Sequence, residues 1–201
     1  MQTTTNFLPS MHPYLPPRGS QALSTLHRGG LVLLPTANLW QVVTHPHYST
    51  ANERQFSLCP PSIHNRPELL FADLELLKSW VPDLHPKLEN LLVYHKRAVT
   101  LLVHVPQAPG GMRDRNGLTA VRLIRDSFCY RLGEDLELPL VATLAQANGA
   151  DLPPSHFGRI RSDILRNVDY VVKRRQKDFL GDDPTVVIRL DEMEEIEFVR
   201  E

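Results

Sequence analysis

Residues 29–43 read Gly29-Gly30-Leu31-Val32-Leu33-Leu34-Pro35-Thr36-Ala37-Asn38-Leu39-Trp40-Gln41-Val42-Val43. An apolar run of four, bounded by a glycine pair and a proline, predicts a buried strand over 31–35 that runs straight into a Pro-Thr turn. Thr36 stands where that strand ends and where a polar side chain can face a crevice.

Working outward, helix-compatible spacing covers 49–58, with Ala51, Phe56 and Leu58 apolar and Asn52, Glu53 and Arg54 on the outward side. Pro60, Pro61 and Pro67 make 59–67 a loop. A short strand follows over 69–72, then a helix capped by Asp73 and reaching Trp80. A further helix is predicted over 87–93 and strands over 99–105 and 118–123, separated by a turn region with Pro109-Gly110-Gly111 and Asn116-Gly117. The pattern continues with a helix over 125–132 that ends near Gly133, a buried strand over 138–143 and a turn at Asn148-Gly149. Ser155 is predicted to cap a helix through Asn167, and strands over 169–172, 185–190 and 195–199 close the chain. Strands and helices alternate before strands cluster at the end, which favours a mixed α/β sheet with helices packed on it over a bundle or sandwich. No internal repeat is visible.

At 201 residues and 42% hydrophobic the chain can bury one sizeable core, read as a single domain over 21–201. Residues 1–20, with Pro9, Pro13, Pro16 and Pro17, are expected to form a proline-rich arm. The arm carries no apolar segment of signal-peptide type, and no run of 18 apolar residues exists for a membrane span, so a cytoplasmic location is the expectation. Formal net charge is −1, which offers no global basic signature for nucleic acid. Cys59 and Cys129 lack CxxC spacing, and the histidines, including His45 and His47, lack nearby Cys or carboxylate partners, so no metal site is expected. No Gly-x-Gly-x-x-Gly, P-loop or Gly-x-Ser-x-Gly sequence is present.

The 29–43 stretch resembles the Gly-Gly-hydrophobic-Pro-Thr-x-Thr-x-Tyr-Gly opening of the YrdC/YciO family, the threonylcarbamoyl-adenylate synthase-like proteins, and the resemblance covers most of the chain. It implies the YrdC-like α/β fold: a twisted mixed β-sheet with packed helices and a concave crevice. The residues that carry the family's chemistry are largely altered. Ala37 and Asn38 stand where the family has an acidic or polar residue and a second threonine, and Trp40-Gln41 replaces Tyr-Gly. Trp40 would still supply a flat apolar wall, whereas Gln41 would be strained in a glycine's conformation. Cys59 and Pro61 fall on the family's Lys-x-Arg signature, and neither is cationic, although positive charge at fixed positions is what grips phosphates and a carboxylate. Arg66, from the same loop, would be a substitute cation; otherwise it is a solvated loop arginine.

Residues 138–146 resemble the family's Pro-Leu-x-x-Thr-Ser-Ala-Asn segment. Thr143 is retained, the serine becomes Leu144 and the asparagine Gln146, which removes a hydroxyl that would bond phosphate or sugar. Arg122 matches a family arginine that faces the substrate cleft. An arginine in an apolar strand must either bind an anionic ligand or meet an internal carboxylate. The 179–188 segment is nearer the YciO branch and places Thr185 at the cleft or simply in a strand. The segment matching Trp-Pro-Gly-Pro-x-Thr keeps Thr100 and puts Arg97 on the glycine. Thr36, Arg66, Thr100, Arg122, Thr143 and Thr185 are therefore the candidate substrate-binding residues, with Thr36, Arg122 and Thr143 expected around one depression; no catalytic residue is assigned.

Basic residues gather between Arg159 and Lys177, with an acidic tail after them. Lys173, Arg174, Arg175 and Lys177 are the candidate RNA contacts; the other reading is a solvated face paired with the tail, and no aromatics interleave the run to stack bases. For an intact family member the resemblance implies ATP-dependent formation of threonylcarbamoyl-adenylate for tRNA modification, and binding of tRNA or double-stranded RNA. Three readings stay open: a diverged protein that binds ATP, AMP or structured RNA without synthase activity, a synthase that uses Arg66, Arg97 and Arg122 as substitute cations, or a scaffold for another protein or small metabolite.

Overall fold

The computed structural model describes residues 20–62, 64–95, 97–147, 153–181 and 185–200. All but Ser20 of the proline-rich arm, and the Asn148-Gly149 turn, lie outside those residues. Among them the strands are β1 (Val32–Pro35), β2 (Trp40–Thr44), β3 (Glu68–Phe71), β4 (Val99–Val103), β5 (Thr119–Leu123), β6 (Leu140–Leu144), β7 (Tyr170–Val171), β8 (Val186–Leu190) and β9 (Ile196–Arg200). They form one sheet in the order β7-β1-β2-β6-β3-β5-β4-β8-β9, parallel at β1/β7, β3/β5 and β4/β8 and antiparallel elsewhere. This is the mixed α/β sheet that the alternation of elements predicts.

The helices are α1 (Gln21–His27), α2 (Ser49–Leu58), α3 (Leu74–Trp80), α4 (Pro86–Tyr94), α5 (Ser127–Leu136) and α6 (Ser162–Asn167). Strand periodicity decides which face each covers, because successive side chains point to opposite sides. Leu69, Phe71, Leu101 and Val121 pack with Leu77, Trp80, Leu88 and Leu92 of α3 and α4. Leu31, Leu33 and Val42 pack with Ala51 of α2 and Ile164 of α6. The alternate residues Val32, Leu34, Leu70, Leu140 and Ala142 meet Leu23 and Leu26 of α1 and Phe128, Leu132 and Leu136 of α5. That second face is where the crevice opens. No helix among the described residues is long and apolar enough to cross a membrane.

Local chemistry explains where the element expectations fail. Helix α1 and strand β2 are additions: α1 is short and amphipathic, with Ser20 accepting from the Leu23 N–H at its start, and β2 follows the tight Thr36–Leu39 turn. Helix α5 does not stop at Gly133 but runs to Leu136 and ends on Glu137 in the left-handed region (φ 58°). Gly133 is there for close packing, since a Cβ would stand 3.2 Å from that of Ala72. Ser155 caps no long helix; its hydroxyl accepts from Arg159 at 2.8 Å, and a single 3-10 turn (Phe157–Arg159) precedes α6, with Arg161 extended between them. Asn52 of α2 points inward, bonded to Thr44 at 2.6 Å and to the Pro46 carbonyl at 3.1 Å.

His45, on the connection from β2 to α2, is buried with its Nδ1 accepting the His47 N–H at 3.1 Å. Its ring lies 4.8 Å from Tyr48, 5.4 Å from His47 and 6.2 Å from His27. Burial holds its pKa below the usual imidazole value, and the two neighbouring histidines push the same way. The unfolded chain therefore takes up the proton first, so stability is full above about pH 6.5 and is lost as pH falls below it. Thermal melts between about pH 7.5 and pH 5.5 are expected to show this loss, and His45→Gln to flatten it. An unchanged slope in that variant would assign the acid sensitivity elsewhere.

Candidate functional site

A cavity of about 240 Å³ opens on the face that carries Leu70 and Ala142. Its floor comes from six chain segments brought side by side by the sheet. Gln41 of β2 sits opposite Leu144 of β6, Glu68 of β3 opposite Ala142, and Arg122 of β5 opposite Thr100 of β4. Thr185 precedes β8, whose Val187 pairs with Thr100. The turn residues Asn38 and Leu39, the loop residues His64 and Arg66, and Val199 of β9 complete the lining.

The floor is a connected polar network. Arg122 Nη2 lies 3.2 Å from Glu68 Oε2 and donates to Gln41 Oε1 at 3.2 Å. The Thr100 hydroxyl donates to Glu68 Oε1 at 2.9 Å and lies 2.7 Å from that of Thr185. The side chains of Arg122 and Glu68 are only 7% and 10% exposed, so the two charges are compensated within the fold, as a buried pair must be. Of the alternatives left open for Arg122, the structure shows the internal carboxylate. Arg66 is also paired, donating to Asp114 at 3.1 Å from a half-buried position.

Four of the six candidate substrate-binding residues, Arg66, Thr100, Arg122 and Thr185, thus come together around this cavity. Two do not. Thr36 spends its hydroxyl on its own turn, donating to the Leu39 carbonyl at 2.7 Å, and borders a small separate hollow of about 20 Å³ beside Arg122, Asp126 and Cys129. Thr143 points through to the other face, where it meets Gln55 Nε2 at 3.1 Å. The strand's period of two puts Leu144, not Thr143, into the cavity. The three residues expected around one depression are therefore split between the faces.

Trp40 is likewise no cavity wall: it is fully buried, 5.1 Å from the Phe157 ring, on the α2 and α6 side. Gln41 lies in the regular β2 ladder rather than in a strained turn. Arg97 is exposed and is not part of the lining. Cys59 is buried, and burial pushes its thiol up to about 11, so it is an inert core group. Of the four candidate RNA contacts, Lys173 and Lys177 are exposed and Arg174 and Arg175 are half-buried. The Arg174 guanidinium lies 5.2 Å from the Phe128 ring, and Arg175 donates to the Thr36 carbonyl and to Asp178, both at 3.1 Å.

Glu68, Gln41 and Asp114 are the site residues that sequence reasoning missed. The sequence reading starts the strand at Leu69 and leaves Glu68 outside it, although an arginine in an apolar strand signals that a carboxylate stands nearby.

The Sua5/YciO/YrdC family model, described as telomere recombination, matches residues 24–201. No curated protein matches the chain. Among solved structures, E. coli YciO superposes with a TM-score of 0.75 at 20% identity, over 90% of this chain and 87% of that one. P. abyssi Sua5 complexed with L-threonine gives 0.70 at 19%, over 89% of this chain and 52% of the Sua5 chain, so this chain spans about half of that protein. Full-length HypF in its phosphate- and nucleotide-bound form gives 0.72 at 16%, over 89% of this chain and 28% of that one. These likenesses establish the YrdC-like fold.

Proposed function

The chain belongs to the Sua5/YciO/YrdC family, and on that premise we propose that it is a YrdC-like binding protein whose crevice takes a mononucleotide, AMP in preference to ATP, without forming threonylcarbamoyl-adenylate. The observation that carries this reading is that both cavity arginines are already met by carboxylates, Arg122 by Glu68 and Arg66 by Asp114. A triphosphate needs uncompensated positive charge or backbone donors aimed at it, and the family's cationic pair is replaced by a buried thiol and an exposed proline at Cys59 and Pro61. The cavity, about 240 Å³, lies just below the usual ligand-site range of about 300–1,000 Å³. Leu39, Leu144, Val187 and Val199 offer an apolar wall for a base, while Asn38, His64 and the half-exposed Arg66 supply polar contacts. HypF in its phosphate- and nucleotide-bound form and Sua5 complexed with L-threonine both contain this fold, which supports a ligand-binding reading of it.

Binding of tRNA or double-stranded RNA is the second reading, carried among the four candidate contacts by exposed Lys173 and Lys177, since Arg174 and Arg175 pack inward. Calorimetry with AMP, ATP and a structured RNA tests both. The expected result is AMP binding well above that of ATP, with no pyrophosphate released when threonine, bicarbonate and ATP are supplied together. Absence of binding to all three overturns the ligand proposal, and threonine-dependent pyrophosphate release overturns the loss of synthase activity.

A further inference from the structure

Within the cavity a carboxylate stands where a bound anion would stand. Glu68 Oε2 lies 3.2 Å from Arg122 Nη2, the distance a ligand oxygen would take, and the Thr100 hydroxyl fixes Oε1 at 2.9 Å. Thr100 is itself fully buried and in contact with the Thr185 hydroxyl, so the carboxylate is held from behind as well as from the side. Gln41 Oε1 occupies a second direction around the same guanidinium nitrogen. With its charge met in this way, Arg122 offers the added phosphates of a polyphosphate no net attraction, and Glu68 at the same floor repels them.

Resting on the reading of the crevice as a ligand site, the geometry points to Glu68 as the residue that sets the charge of the ligand: it takes the anion's place on Arg122, is positioned there by Thr100, and rejects polyphosphates. Like-charge opposition of this kind is a means of specificity distinct from attraction to the preferred ligand. It goes beyond loss of a phosphate grip, because it makes rejection the work of one named side chain whose neutralisation should restore anion binding.

The probe is inorganic pyrophosphate, titrated calorimetrically onto the full chain and onto Glu68→Gln, Glu68→Met and Glu68→Asp, each confirmed folded by its thermal melt. Glu68→Gln keeps the acceptor for Thr100 but removes the charge and turns an amide donor toward Arg122, and Glu68→Met keeps a similar volume with no polar group, so a gain shared by both folded uncharged variants decides the matter. The expected result is a gain in pyrophosphate affinity of at least about tenfold in the uncharged variants and none in Glu68→Asp, which keeps the charge. Equal affinity in the unaltered and uncharged proteins overturns the role of Glu68, as does a matching gain in Glu68→Asp, which would signal a loosened cavity. On the unaltered chain, pyrophosphate bound as tightly as AMP also overturns it, without any variant. An AMP titration run alongside separates this inference from the function it rests on: AMP bound with no pyrophosphate gain sinks Glu68 alone, while a pyrophosphate gain with no AMP binding sinks the mononucleotide reading alone.

Discussion

Replacing Arg122 by alanine is expected to lower the unfolding free energy by about 3–5 kcal/mol, the cost of leaving a buried charge without its partner. The charge left behind is that of Glu68, 10% exposed and, among the described residues, bonded only to the neutral Thr100 once the guanidinium is gone. Hydrogen bonds from a hydroxyl do not replace a cation in a dry site, so the loss should exceed that of a surface pair, which is within about 1 kcal/mol. The same logic gives a second expectation. Adding Glu68→Gln to the Arg122→Ala background removes the stranded charge, and the double variant should be more stable than Arg122→Ala alone. Chemical denaturation of the set forms a double-mutant cycle. An Arg122→Ala cost within about 1 kcal/mol would mean that water reaches the pair, and the compensated floor of the cavity would no longer describe it.

The fold was legible because its signals are local and periodic. Leu31 to Leu34 sort alternately onto the two faces of β1, and Asp73 caps α3 through the Leu76 N–H at 2.8 Å. The site was legible only in part, because it depends on parity and on partners from distant strands. A retained threonine at 143 reads as a cleft residue by motif, yet one step along β6 exchanges the faces. Arg122 could be identified as needing a partner, but the partner comes from position 68, which pairing of β3 with β5 sets beside it and which no local pattern marks. The basic run was legible only as composition, which counts charges, while packing against Phe128 and the Thr36 carbonyl decides how far Arg174 and Arg175 meet solvent.

The face opposite the cavity yields the other large effect. Gln55 of α2 is fully buried, and its Nε2 is 2.7 Å from the Val42 carbonyl, 3.2 Å from the Val141 carbonyl and 3.1 Å from Thr143 Oγ1, while its Oε1 is 2.6 Å from the Thr44 hydroxyl. One amide thereby ties the helix to β2 and β6, the strands whose other faces carry Gln41 and Leu144 into the cavity. Gln55→Ala removes donor and acceptor together and leaves a void, at an expected cost of about 3 kcal/mol or more, since each stranded buried polar group costs about 1–3 kcal/mol. Gln55→Glu is the sharper variant, because it keeps the shape and exchanges a donor for an acceptor facing two carbonyls. A carboxylate so placed is held protonated by its surroundings, and its pKa should rise in the folded state. The folded form then binds the proton more tightly than the unfolded one. The variant's deficit should accordingly be largest near neutral pH and shrink as pH falls toward the ordinary glutamate value of about 4.3. Denaturation of Gln55→Glu and the unaltered protein across that range measures the difference, and a variant as stable as the parent at neutral pH would remove Gln55 from its place as the tie between helix and sheet.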